Sequence, residues 1–144
     1  MKLNQLSVFL ENKPGRLSEP CKILADAGIN ILTISLADTK QFGILRLIVK
    51  DWQKAKAILE KAGCVVNVSE VVAVEVEDHP GGLEKVLKAI EQAKINVEYM
   101  YAFTFRQENK AIITFRFESP DAAIQLLGSQ GFKIVESSEL FKRV

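Results

Sequence analysis

The chain repeats itself. Sliding the sequence by 66 positions aligns residues 8–36 with residues 74–102 without a gap, and nine of those 29 pairs are identical. They are Val8/Val74, Glu11/Glu77, Pro14/Pro80, Gly15/Gly81, Leu17/Leu83, Lys22/Lys88, Ala27/Ala93, Ile29/Ile95 and Asn30/Asn96. Unrelated segments of ordinary composition would share roughly two. Beyond this block a shift of 68 pairs residues 45–49 with 113–117 and Gly63 with Gly131, so the second copy carries two extra residues between Ala102 and Ile112. A self-similar period of this length means one supersecondary unit written twice. The expected domains are residues 1–70 and 71–144.

Each copy reads as the same run of elements. In the first, Leu6, Val8 and Leu10 alternate as in a strand, and Pro14-Gly15 breaks it. Leu17, Cys21, Leu24 and Ala25 then fall at helical spacing until Gly28, with Pro20 expected to loosen that helix near its start. Residues 29–36 and 42–50 form a hairpin across Asp38-Thr39-Lys40. Asp51 caps a second helix through Ala55, Ile58, Leu59 and Ala62, and residues 65–68 close the unit. The second copy repeats the order: strand 71–76, a helix lined by Leu83, Val86, Leu87 and Ile90, and a hairpin of 95–105 with 111–117. The helix opened by Ser119-Pro120-Asp121 and strand 132–135 complete it. This β-α-β-β-α-β order is the ferredoxin-like motif. The fold class is therefore α+β, two tandem ferredoxin-like units forming a side-by-side eight-stranded antiparallel sheet with helices on one face.

Both sheet faces read as apolar. Leu45, Leu47 and Val49 point one way and Ile44 and Ile48 the other, and Tyr99, Tyr101, Phe103 and Phe105 share one face of their strand. The face away from the helices wants a cover, and a second copy forming a homodimer is the simplest one.

Composition narrows the function classes. Of 144 residues, 48% are hydrophobic and 26% charged, with a net charge of +1. That is globular composition with no electrostatic reach toward nucleic acid or acidic membranes. No apolar run approaches the roughly 18 residues of a membrane span, and the first residues have no apolar leader, so the expectation is a cytoplasmic protein. Cys21 and Cys64 read as isolated buried thiols, with neither a disulfide framework nor a metal site.

The chemistry lies in the turn that occurs twice, Asn12-Lys13-Pro14-Gly15-Arg16-Leu17 and Asp78-His79-Pro80-Gly81-Gly82-Leu83. A strand ends, the chain turns, and a helix begins with amides that lack internal partners. Gly15 and Gly81 keep side chains out of the way of a ligand's oxygens. A carboxylate suits such a place. Asn12 or Asp78, and Asn30 or Asn96 at the start of the next strand, either hold an ammonium group or lock the turn. His79 is the only histidine, and the alternative for it is simple exposure.

The stretch NKPGRLSEPCKILADAGINI resembles the opening of an ACT domain. The family pattern is a Pro-Gly-x-Leu turn into a helix and then Gly-x-Asn-Ile: Pro14, Gly15, Leu17, Gly28, Asn30 and Ile31 here. The second copy matches with Pro80, Gly81, Leu83, Asn96 and Val97, but has Lys94 for the glycine and Asp78 for the turn asparagine. The resemblance covers nearly the whole chain, as two ACT units without an attached enzyme. It implies a regulatory protein binding a free amino acid at an interface between ACT units, acting through a regulated enzyme or other protein partner. It carries over Asn12, Gly15 and Asn30, with Asp78, Gly81 and Asn96, and as neighbours Lys13, Arg16, Leu17, His79 and Leu83. Pro14, Ile31, Pro80, Gly82 and Val97 complete the binding set.

Three other functions suit an α+β chain of this kind. Catalysis finds no nucleophile paired with a base, no phosphate loop and no spaced metal ligands, so no cofactor is expected. RNA-recognition motifs share the element order, but where they stack bases on aromatic rings this chain has Ile44 and Leu45. A dimerising module that binds a protein partner without a ligand shares every structural feature, and only amino acid binding separates it.

Overall fold

The computed structural model describes residues 1–104 and 106–143. The chain divides into an N-terminal unit, Asn4–Ser69, and a C-terminal unit, Glu70–Val144 joined by Met1–Leu3. The elements run β1 (Leu3–Glu11), α1 (Ser18–Asp26), β2 (Ile31–Asp38), β3 (Phe42–Val49), α2 (Trp52–Lys61), β4 (Val65–Glu77), α3 (Gly82–Gln92), β5 (Val97–Ala102), β6 (Lys110–Phe117), α4 (Pro120–Ser129), β7 (Lys133–Ile134) and α5 (Ser137–Arg143). Among the described residues no helix is long and apolar enough to cross a membrane.

The architecture is α+β with antiparallel ferredoxin-like units. Two strands expected separately, 65–68 and 71–76, run as the single 13-residue β4, so the described residues form seven strands rather than eight. In the N-terminal unit the strand order is β2-β3-β1-β4. Leu6 faces Leu47 and Val8 faces Leu45 across the antiparallel β1–β3 pair. With Val49 they bury against Leu24 of α1 and Ala55 and Leu59 of α2. Each of the leucines contributes about 1.5–3 kcal/mol by leaving water. Pro20 falls in the first turn of α1, where no intrahelical N–H is lost, so the loosening expected there does not arise. Cys21 and Cys64, expected to be buried, are half-buried free thiols.

In the C-terminal unit β4 lies between β6 and β7, since Val74 pairs with both Ile113 and Ile134. Val72, Val74, Val76, Phe115 and Phe117 pack against Val86 and Ile90 of α3 and Ala123 and Leu127 of α4. The Phe115 and Phe117 rings stack with centroids 5.2 Å apart. A register shift between Val97 and Tyr99 turns Tyr99 and Tyr101 to the face opposite this core. Phe103 follows them and is buried, while Phe105 lies outside the described residues.

That opposite face is not left bare. Glu75 lies between Val74 and Val76 on β4, so it points away from α3 and α4. It meets Arg143 of α5 at 3.3 Å, and Arg143 also holds Glu139 at 2.6 Å. Leu140 of α5 is fully buried. A helix the sequence did not announce therefore covers the surface expected to dimerise, on the side away from the other two helices of its unit. In the N-terminal unit the corresponding face is more polar than expected, with buried Gln5, Ser7 and Thr33 beside Ile48.

Candidate functional site

The first Pro-Gly turn is bolted to the β2–β3 hairpin. Asn12 donates its backbone N–H to Gln41 at 2.9 Å, and its side-chain amide donates to the carbonyls of Thr39 and Lys40 at 3.3 and 3.4 Å. Of the two roles open to it, Asn12 locks the turn. Gly15 has φ +86°, a conformation that side chains disfavour, and its carbonyl accepts from the Ser18 hydroxyl and the Glu19 amide. Lys13 and Arg16 spend their amides inside the turn, on Glu11 and Lys13 carbonyls. Among the described residues, the amides of Gly15, Leu17 and Ser18 have no backbone acceptor.

A cavity of about 380 Å³ opens beside this turn. Leu10, Glu11, Asn12, Lys13, Pro14, Gly15 and Leu17 line one side, and Leu36, Asp38 and Gly43 of the hairpin line the other. Lys13 lies 3.0 Å from Glu11 and, by that contact, holds its carboxyl below the usual glutamate range. Asp38 makes no ion pair among the described residues. Arg16 faces outward to Glu19 at 3.7 Å rather than into the cavity lining.

The second turn repeats the hydrogen-bond skeleton and changes what surrounds it. Asp78 N–H donates to Asn109, Gly82 to His79 and Lys85 to Gly81, matching the bonds of Asn12, Arg16 and Glu19. Gly81 has φ +90°. The Asp78 carboxylate, however, meets Arg106 at 2.5 Å, from the longer β5–β6 connection. The contact of His79 Nδ1 with its neighbour's Pro80 carbonyl, at 2.9 Å, puts its proton on that nitrogen. Helix α3 begins at Gly82, two residues earlier than the position matching the start of α1. Leu83 is half-buried against the core of its own unit, and Ala102 stands where the first copy has Leu36.

The asparagines do not join their turns. Asn12 bonds just before β3 begins, whereas Ile31, next to Asn30, pairs with Val49 at its end. Eight residues of strand separate these ends by about 25 Å. In the second copy Asp78 bonds to Asn109 before β6, and Asn96 accepts from Glu118 after it. Asn96 and Val97 line a different hollow with Lys94 and Leu87. Thus Asn12, Lys13, Pro14, Gly15 and Leu17 are brought together, and Asn30 and Ile31 stand apart from them in their own unit.

Sequence reasoning missed Leu10, Glu11, Leu36, Asp38 and Gly43 as cavity walls, and Arg106 as the partner of Asp78. The hairpin reading across Asp38 carried the signal for the former, since β1 and the hairpin end at the same edge once β3 lies between them. Among the described residues no group of three or more His, Cys, Asp or Glu is placed to hold a metal ion.

The whole chain, residues 1–144, matches the ACT domain pair family. The crystal structure of protein BT0572 from Bacteroides thetaiotaomicron is similar over 99% of this chain and 97% of that one, at 37% identity and a TM-score of 0.92. The regulatory subunit of aspartate kinase from Thermus thermophilus covers 88% of this chain and 91% of its own, with a TM-score of 0.64. At 19% identity that likeness concerns the fold alone. The acetolactate synthase small subunit of Buchnera aphidicola is 30% identical over 83 residues, 55% of this chain. The chain spans about half of that relative, 52% of its length.

Proposed function

The chain belongs to the ACT domain pair family, and from that premise we propose a non-catalytic regulatory protein that senses a free amino acid at its first Pro-Gly turn. Residues 1–70 and 71–144 are its two ACT domains, in a cytoplasmic protein. The observation that carries the reading is the cavity between the turn and the hairpin. Among the described residues, the amides of two of its lining residues, Gly15 and Leu17, have no backbone acceptor, and Asp38 presents a carboxylate without an ion-pair partner. Amides take the carboxylate of an amino acid and Asp38 takes its ammonium group. Charge-assisted hydrogen bonds of this kind contribute about 1.5–3 kcal/mol each.

Asn30 reaches this cavity only from another copy. Strand β2 is the edge of its unit's sheet, Asn30 precedes it, and Asp38 ends it. Two copies paired antiparallel along β2 about a two-fold axis bring Asn30 of each to the Asp38 end of the other. Ile34 on that strand is 42% exposed, an apolar residue suited to such a contact. The homodimer surface we propose is therefore the β2 edge, since α5 lies over the face expected for it in the C-terminal unit. An enzyme partner accords with a relative named as a small subunit of an enzyme.

A second reading has its own support. The Asp78–Arg106 pair occupies the second turn, so the C-terminal unit fits a module that contacts a protein partner without a ligand. Isothermal titration against the twenty amino acids tests both. The expected result is micromolar binding with one ligand per chain, weakened at least ten-fold in Asp38→Asn, about 1.4 kcal/mol. A flat response to every amino acid leaves only the second reading.

A further inference from the structure

We infer that the amino acid sensed has an aliphatic side chain, read by Leu10, Leu17 and Leu36. The inference rests on the sensor reading and narrows its ligand. Leu17 is 43% exposed and Leu36 49%, and with half-buried Leu10 they line the same cavity. A Cβ at Gly43 would stand 3.3 Å from Leu36 Cδ1, so the absence of a side chain there gives Leu36 its seat at the cavity wall. Exposed leucines around a hollow are an unsatisfied apolar surface, and a ligand side chain covers it.

Charge disfavours ionised ligand side chains. Glu11 is committed to Lys13 at 3.0 Å, which spends both the lining cation and one lining carboxylate. Asp38 is taken by the ligand's ammonium group. An acidic ligand side chain would therefore find no open cation, and a basic one no second carboxylate. No aromatic residue lines the cavity to stack on a ring. The duplication supplies an internal contrast, because at the matching positions the second copy has Val76, Leu83 and Ala102. Its wall is lower where Leu36 should stand, and its Asp78 is closed by Arg106.

The test is titration of the full chain with leucine, isoleucine, valine, alanine, serine, phenylalanine, aspartate and lysine, repeated on Leu36→Ala. A methylene in an apolar pocket changes affinity by about ten-fold or more, so a branched aliphatic amino acid should bind at least ten-fold tighter than alanine or serine. Leu36→Ala, which reproduces the second copy's residue, should lose at least ten-fold for that ligand and leave alanine affinity and the unliganded melting temperature unchanged. Tightest binding of a charged, polar or aromatic amino acid, still lost in Asp38→Asn, overturns this inference and spares the sensor. An unaltered aliphatic affinity in Leu36→Ala also overturns it. Silence toward every amino acid overturns the sensor reading and this one with it.

Discussion

A Cβ on Gly82 would lie 1.8 Å from the carbonyl oxygen of Glu77. The second Pro-Gly turn has settled onto the last residue of its strand, and only a glycine allows that approach. The matching position in the first turn is Arg16, whose side chain reaches outward to Glu19. Two turns with the same hydrogen bonds and the same left-handed glycine thus differ in how close they stand to their own strand.

Gly82→Ala should therefore destabilise the C-terminal unit by about 2–3 kcal/mol, as overpacking against a backbone atom does. Arg16→Ala, an exposed change, should stay within about 0.5 kcal/mol of the parent. Urea unfolding of both variants checks the pair. Equal stabilities would mean that the second turn yields without resistance.

Lys94 and Gly28 end the first helices of their units in the same way, at φ +57° and +70°. Each helix closes with the same bonds: Gly28 and Lys94 donate to the residue three back, Ile29 and Ile95 to the residue five back. A left-handed lysine bears a backbone penalty that glycine does not, about 1 kcal/mol. Lys94→Gly should stabilise the chain by about that amount, and Gly28→Ala should cost a similar amount. Thermal unfolding measures both, and a destabilised Lys94→Gly would show that the lysine side chain does something more at that place.

Helix α5 is held to its sheet by charge as well as by Leu140. Lys133 and Arg143 hydrogen-bond to Glu139 and hold its carboxyl below the ordinary value of 4.5. The fold therefore favours ionised Glu139. Its contribution is complete above that ordinary value and fades as pH falls through the lower, folded one. The protection factors of the α5 amides, relative to intrinsic exchange at each pH, should fall in acid below pH 4.5, ahead of those of α3 and α4. Glu139→Gln should show part of that loss of protection already at neutral pH. An α5 equally protected at both pH values would mean that Leu140 alone fastens it.

Much of this was legible because it is local. Pro120 opens α4 as read, although the Ser119 hydroxyl expected to cap it makes no cap hydrogen bond, and Asp51 caps α2 by accepting from the Lys54 amide at 3.2 Å. Gly15 and Gly81 are left-handed as a Pro-Gly turn requires. Helix α5 was illegible because seven residues with one buried position carry no periodicity, and so short a helix forms only when a sheet face receives it. The union of two expected strands into β4 was hidden by Ser69-Glu70, polar residues that read as a break and lie within a continuous strand.

The sequence by itself determined the duplication, the ferredoxin-like order of elements and the turn at which a ligand is to be sought. These follow from alternation, helical spacing and backbone restriction, all of which act over a few residues. Only tertiary structure decided which residues share a cavity. Leu36 and Asp38 meet Asn12 and Leu17 because β3 pairs with both β1 and β2, and Asn30 lies some 25 Å away because a strand's length separates its two ends. Tertiary structure also separated the two turns, through the Arg106 ion pair and the Gly82 approach. Proximity between distant residues is a property of strand order and packing, and no local preference encodes it.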